Sequence, residues 1–267
     1  MSVSIGVVGC AGRMGRMVIQ EVLATDGCSL AGGTEAPGGP IGKDLGTLVG
    51  AVSLGVTIGD DPAALFASAE AVIDFTIPAA TCSHARAAQD SGTAYVVGTT
   101  GLSDDDQAAV TAASQSAPIV QAPNFSVGVN LLFALTKRVA ATLGPDYDIE
   151  ILEMHHRAKI DAPSGTALAL GEAAAVGRNV PLGSVARYAR EGQIGARPPG
   201  EIGFATLRGG GVIGDHTALF ANEVERLEFT HKAGSRGIFA GGAVRAALWL
   251  QGKPAGLYGM ADVLGLD

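Results

Sequence analysis

The chain has 267 residues, enough for one large domain or two ordinary ones with a full core. With 47% of it hydrophobic and only 16% charged, the composition excludes a disordered chain. Its 18 basic and 26 acidic side chains leave a net charge of −8, the wrong sign for a phosphate-backbone binder, and no basic stripe overrides it.

Cys10, Cys28 and Cys82 stand apart, with neither metal-ligand spacing nor an even count for disulfides, which points to the reducing cytoplasm. The N-terminus opens on a strand-like Val3-Ser-Ile-Gly-Val-Val8 rather than on a basic and then apolar leader, so no signal peptide is expected. Nor is any apolar run expected to approach the roughly 20 residues of a membrane span. The 39 glycines are about twice the usual share of roughly 7%, which implies many tight turns or close backbone–ligand approaches.

Ser4 to Gly9 reads as a strand, followed by Gly9, Cys10, Ala11, Gly12, Arg13, Met14 and Gly15, and then by a helix through Ala24 with apolar residues at Met14, Val18, Val22 and Leu23. Strand, glycine-rich turn and helix open a dinucleotide-binding βαβ unit, here spaced G-x-x-G-x-x-G. The glycines let the backbone turn tightly and approach a pyrophosphate, whose charge sits on the helix N-terminus. Ser29 to Glu35 is a second strand, ending in an acid about twenty residues past the glycines, where a ribose-binding carboxylate belongs. Further strands are expected at Ala71–Thr76, Ala94–Gly98 and Pro118–Ala122, with helices over Pro78–Gln89 and after the Ser103 cap.

This alternation predicts an N-terminal Rossmann-type, doubly wound parallel sheet. Ligands lie beyond the carboxyl ends of such strands. Gly9–Gly15, Glu35, Asp74, Phe75 and Thr76, Gly98, Thr99 and Thr100, and Ala122, Pro123, Asn124 and Phe125 therefore fall along one edge, a track for a dinucleotide.

After Phe125 the texture changes. A helix over Asn130–Leu143, an alternating strand at Asp148–Met154, a helix over Thr166–Ala175, and strands at Glu201–Arg208, Val212–Asn222 and Glu225–Lys232 predict a C-terminal α+β domain with an open mixed sheet. Gly209-Gly-Gly211 reads as a turn between antiparallel neighbours, and Arg187–Gly200 as a long flexible loop between domains. We expect residues 1–126, completed by a returning segment 237–267, to bind the dinucleotide. Residues 127–236 are expected to bind substrate and to pair with other subunits through the open sheet.

The segment Glu153-Met-His-His-Arg-Ala-Lys-Ile-Asp-Ala-Pro-Ser-Gly-Thr-Ala167 admits three readings: a solvated polar turn, a metal site, or an anion-binding acid–base site. Adjacent histidines on a strand point to opposite faces, which disfavours a shared metal. Ser164, Gly165 and Thr166 open a helix whose backbone N–H groups can hold a carboxylate, Lys159 adds positive charge, and a histidine can supply a proton near neutrality. This chemistry selects the third reading.

"VGCAGRMGR", "IDFT", "VVGTTG", "APNFSVGVN", "EMHHRAKIDAPSGTA", "GEIGFATLRGGGVIGDHTALF" and "ERLEFTHKA", in that order, make the chain closely resemble the 4-hydroxy-tetrahydrodipicolinate (dihydrodipicolinate) reductases nearly end to end. The resemblance implies reduction of a cyclic unsaturated dicarboxylate by NADH or NADPH in diaminopimelate and lysine biosynthesis, in a homotetramer that closes its domains on the substrate. It makes His155 the proton donor/acceptor and Lys159 a second proton donor in contact with substrate. His156, Gly165 and Thr166 would bind carboxylate, and the glycine loop, Glu35, Gly98–Thr100 and Ala122–Phe125 the cofactor. Some members carry an arginine after the ribose-binding acid; here that residue is Ala36, so NADH is expected to be preferred. A nicotinamide-sensing regulator and a related dehydrogenase, such as one acting on aspartate, are the alternative readings.

Overall fold

The computed structural model describes residues 2–266 and divides into two compact units, one running to Ser126 and taking in Gly237–Gly265, the other spanning Val127–Arg236. In the first unit, β1 (Val3–Val8) turns at Gly9 into α1 (Arg13–Ala24), where Val18, Ile19 and Val22 form the buried stripe. β2 (Cys28–Thr34) leads through α2 (Leu45–Leu48) and β3 (Ile58–Gly59) to α3 (Pro62–Ser68). Asp61 caps that helix and Pro62 occupies its first turn, where a missing N–H costs nothing. β4 (Ala71–Asp74), α4 (Pro78–Ser91), β5 (Ala94–Val97), α5 (Asp104–Ala113) and β6 (Pro118–Gln121) continue the alternation. α5 starts in a capping box between Ser103 and Asp106, with three aspartates set against the helix dipole.

The second unit follows, with α6 (Val127–Leu143), a 3₁₀ turn at Gly144–Asp146, β7 (Asp148–His155), α7 (Gly165–Gly177), α8 (Leu182–Val185), β8 (Ala186–Arg187), β9 (Ile202–Arg208), β10 (Asp215–Ala221) and β11 (Arg226–Lys232). The chain then returns to the first unit as α9 (Gly237–Trp249), β12 (Gly256–Tyr258) and α10 (Met260–Leu264).

The first unit's seven strands lie in the order β12-β6-β5-β4-β1-β2-β3, every pairing parallel. Both faces are covered, because alternate strand residues feed two cores. Ile5, Val7, Ile73, Val96 and Val120 pack with α1, α9 and α10, whereas Val8, Val72, Tyr95, Val97 and Ile119 pack with α3, α4 and α5. This is the doubly wound arrangement that the strand–helix alternation predicts.

The second unit carries a mixed five-stranded sheet in the order β11-β10-β7-β9-β8. Along β7, Ile149, Ile151, Glu153 and His155 are buried while Asp148 and Leu152 are exposed, so one face packs under α6 and α7 and the other stays open. Burying each large aliphatic side chain there contributes roughly 1.5–3 kcal/mol.

Three expectations need correcting. Gly209–Gly211 does not join neighbouring strands: β7 lies between β9 and β10, parallel to the first and antiparallel to the second. The segment 187–200 lies within the second unit and is clamped to its sheet. Arg190 grips Glu150 through two bonds of 2.8 and 2.9 Å, and Arg197 reaches Asp148, Glu150 and the carbonyls of Ile149 and Glu201. Finally, Val127–Asp146 is 20 residues long with mean hydropathy 1.2, so one helical stretch does reach span length. It carries Lys137 and Arg138 and lays one face, with Leu132 and Ala140, into the second unit's core.

Candidate active site

In the first unit, the carboxyl ends of the parallel strands form a chain of hollows. One of them holds about 440 Å³ and is lined by Gly9, Gly12, Thr34, Glu35, Ala36, Pro37, Asp60, Pro62, Phe75, Thr76, Ile77, Ala80 and His84. Phe75 also walls a second hollow with Met14, Pro123, Asn124 and Phe125. Pro123 in turn continues into a third, with Thr99, Thr100 and Ala122. Phe75 and Pro123 thus join the three hollows along this edge of the unit.

The glycine turn is built for close approach. Gly9 has φ +63°, in the left-handed region, and a Cβ on Gly15 would collide with the Gly9 carbonyl and the Cys10 backbone. Ala11 between them is held from both sides: its N–H donates to Glu35 at 2.9 Å and its carbonyl accepts from Arg16 at 2.9 Å. Gly12 caps α1 with extended backbone and no side-chain bond, leaving that helix end to a ligand. Open backbone, hollow and helix end fit a dinucleotide.

Of the predicted residues, Cys10, Ala11, Arg13, Gly15 and Gly98 line none of the three hollows. Cys10 contributes only its backbone; its side chain is fully buried in the core, and burial together with Glu35 pushes the thiol up to about 12. Arg13 is exposed. Gly98 acts from behind, since any Cβ there would strike the Phe75 ring.

Beneath these loops lies a carboxylate that was expected on the dinucleotide track and is instead turned into the interior. Asp74 is fully buried and accepts from the Thr76 N–H and hydroxyl at 2.7 and 2.6 Å, from Tyr95 at 2.6 Å, from His84 Nδ1 at 2.8 Å and from Thr99 at 3.2 Å. Burial alone would raise this carboxyl; the bonds from His84, Thr76 and Tyr95 outweigh it and hold it below the ordinary value. One anion thereby fixes the loops after β4 and β5.

In the second unit the acid–base candidates gather at the end of β7. His155 is its last residue and is 8% exposed, while His156 lies just beyond the strand and is half-buried. Glu153, two residues earlier and therefore on the same face, is 1% exposed and accepts from His155 Nδ1 at 2.5 Å. A carboxylate can only accept, so the Nδ1 proton belongs to His155, and Nε2, near Gly214, is the nitrogen left for chemistry. Arg208 grips the same carboxylate at 2.8 and 2.9 Å, and the Ser164 N–H donates to it at 3.0 Å.

Burial lifts the Glu153 carboxyl, but Arg208, His155 and Ser164 together bring it below its usual value. For His155, burial lowers the pKa more than the facing Glu153 raises it. A nearby anion would therefore return the imidazole toward protonation.

The helix end completes the site. Ser164 caps α7 by accepting from Ala167 N–H at 3.1 Å. The Gly165 amide finds no acceptor among the described residues, and the space beyond its Cα is open. Thr166 follows in the first turn of the same helix. Lys159 sits in the loop between β7 and α7 and pairs with Asp161 at 2.9 Å. Helix dipole, ammonium and imidazole thus stand in one short stretch.

Glu153, Arg208 and His216 were missed as site residues. Arg208 is the register partner of His155 and His216 that of Glu153, so all three meet only once the strand order is known. Glu153 alone left a signal, its i, i+2 spacing to His155.

A doubly wound sheet opening on a glycine turn, and in a separate unit a buried imidazole–carboxylate pair beside an open helix end, define a nicotinamide-dinucleotide oxidoreductase. The chain belongs to the dihydrodipicolinate reductase family: residues 3–125 match that family's N-terminal part and residues 128–264 its C-terminal part. The 4-hydroxy-tetrahydrodipicolinate reductase of Methylocella silvestris is 55% identical over 261 residues, 97% of this chain and 96% of that one. That of Dinoroseobacter shibae is 53% identical over 261 residues, 97% of each. A dipicolinate-bound dihydrodipicolinate reductase from Paenisporosarcina sp. TG-14 superposes with a TM-score of 0.79 at 25% identity, over 99% of this chain and all of that one.

Proposed function

We propose that the chain reduces 4-hydroxy-tetrahydrodipicolinate to tetrahydrodipicolinate, a step of diaminopimelate and lysine biosynthesis, with NADH preferred over NADPH. The observation that carries this reading is the buried Glu153–His155 pair standing in the same unit as the open Gly165 amide and Lys159. A reduced nicotinamide, when bound, supplies the hydride. His155 holds the proton at Nε2 for the reacting carbon, and Glu153 stabilises the imidazolium while fixing its orientation. Lys159 balances the dicarboxylate charge and serves as a second proton donor. His156, Ser164, Gly165 and Thr166 hold the carboxylates at the α7 end.

The glycine loop Gly9–Gly15, Glu35, Phe75 and Thr76, Gly98–Thr100 and Ala122–Phe125 are assigned to the cofactor. Its nucleotide end falls in the hollow around Glu35, where the lining includes Asp60, Ala36, Pro37 and Ile77 but neither lysine nor arginine. Two carboxylates there repel a ribose 2′-phosphate and leave hydroxyls as the better partners. Arg16 is committed to the Ala11 and Leu48 carbonyls. The open face of the second unit's sheet exposes Leu152 and Leu207, which supports a homotetramer assembled through it. The free thiols support a cytoplasmic setting.

The test follows nicotinamide oxidation with substrate freshly generated from pyruvate and aspartate semialdehyde, using each cofactor in turn. Turnover with the higher kcat/KM for NADH is expected. No turnover with either cofactor overturns the reaction, and a higher kcat/KM for NADPH overturns the preference.

A further inference from the structure

His216 stands on β10 in register with Glu153 and is 4% exposed. Its ring meets that of His155 edge-on, with centroids 5.1 Å apart. Its Nε2 lies 3.1 Å from Ser164 Oγ, while its Nδ1 is buried and has no hydrogen-bond partner. Ser164 Oγ already accepts the Ala167 N–H at 3.1 Å.

Burial and the neighbouring His155 push the His216 pKa down to about 4, so near neutral pH the ring carries one proton. Two arrangements of hydrogens are then available. If Ser164 donates to Nε2, the imidazole proton sits on Nδ1, a buried N–H with no acceptor. If Nε2 donates to Ser164, the group left bare at Nδ1 is only a lone pair. Orphaned buried N–H groups are rare, and an unused acceptor is the lesser penalty. The second arrangement wins. Ser164 Oγ then accepts twice, which uses both of its lone pairs, and its own proton must leave in a third direction. Among the described residues that proton meets no acceptor.

We propose that His216 is a positioning residue: by donating through Nε2 it turns the Ser164 hydroxyl proton outward, toward the substrate carboxylate at the α7 N-terminus. This rests on the reading of that helix end as the carboxylate site. The donor would otherwise be lost to an internal bond, and the helix end would bind with its backbone amides alone.

The tautomer can be read by nitrogen NMR on histidine-labelled resting protein, without substrate or turnover. A neutral His216 protonated at Nε2 is expected; a proton on Nδ1, or an imidazolium at neutral pH, overturns the proposal whatever the enzyme reduces. Kinetics supply the second arm. H216M removes the donor that fixes the Ser164 rotor and leaves the hydroxyl free among several directions, so KM for the dicarboxylate is expected to rise several-fold, with the cofactor KM unmoved. H216Q, which places an N–H where Nε2 stood, restores most of that loss. S164A raises KM at least as much as H216M, and the double variant is no worse than S164A alone, because the two act through one donor. Additive losses, or no recovery in H216Q, overturn the proposal. Absence of all turnover in the native chain would instead strike the functional reading and leave the tautomer result standing.

Discussion

Glu153→Gln tests the acid–base centre most directly. Four donor bonds converge on the native carboxylate: His155 Nδ1 at 2.5 Å, Arg208 at 2.8 and 2.9 Å, and Ser164 N–H at 3.0 Å. A carboxylate accepts all four. A carboxamide accepts only at its single oxygen, so its N–H₂ must face Arg208 together with either His155 or the Ser164 N–H. Facing His155, it turns Nδ1 into an acceptor and removes the charge that stabilises the imidazolium. The two side chains are 10% and 1% exposed, so solvent screens little of that loss. A hydrogen bond to a charged group is worth about 1.5–3 kcal/mol, which is roughly ten- to a hundredfold less imidazolium above its pKa.

The imidazolium is the donating form, so kcat/KM falls as pH rises through the His155 pKa, already below the ordinary histidine value. In the variant that falling limb lies at still lower pH, and kcat/KM near neutrality drops by the same factor. The assay is the pH profile of kcat/KM, with binding of the reduced cofactor measured alongside. A limb that stays in place, or a loss confined to cofactor binding, would refute the role given to Glu153.

Gly15→Ala should weaken dinucleotide binding at least tenfold by calorimetric titration, because the new Cβ displaces the Gly9 carbonyl from the turn. Ala36→Arg should bring NADPH turnover up by roughly ten- to a hundredfold relative to NADH, the worth of a charge-assisted bond to the 2′-phosphate; kcat/KM for both cofactors decides it. Arg208→Met leaves a carboxylate that is 1% exposed without its cation and should destabilise the second unit by about 3 kcal/mol in urea unfolding.

The first unit was legible because its sheet is built from local repeats. Each strand is followed by its own helix, so Gly9, Glu35, Thr76, Thr99 and Asn124 reach one edge by a rule that needs only strand direction. The second unit obeys no such rule. Nothing local says that β10 crosses to the far side of β7, so the glycines at 209–211 looked like a hairpin. Arg208 and His216 lie 55 and 52 residues from the Glu153 and Ser164 groups they serve. The arginines at 190 and 197 read as loop punctuation for the same reason, since their acidic partners on β7, Glu150 and Asp148, are far away in sequence. What the sequence did hold was the chemistry of the segment itself, where an alternating strand sets His155 on the core side and a serine starts the next helix.

The same burial that keeps His216 neutral makes the fold sensitive to acid, in a direction that can be worked out. Its pKa falls from 6.5 to about 4 on folding, so between these values the unfolded chain binds a proton that the folded chain refuses. Stability contributed by this group is therefore present above pH 6.5 and is lost as pH drops toward 4, by about 2 kcal/mol at pH 5. His155 and His231 are also lowered by burial and act with the same sign. The carboxyls of Asp74 and Glu153, held below 3.8 and 4.5 respectively, lose their contribution only in a more acidic window. Glu153, His155, His231 and Lys159 all bear on the His216 ring, so the test must isolate the one histidine. Urea unfolding of the full chain at pH 7.5 and pH 5, with amide exchange followed in β7 and β10, should show the native protein losing stability on acidification and H216Q losing about 2 kcal/mol less. An identical drop in both proteins would mean that His216 takes up its proton in the folded state, and a charged ring could not keep Ser164 as its acceptor while leaving Nδ1 buried and bare.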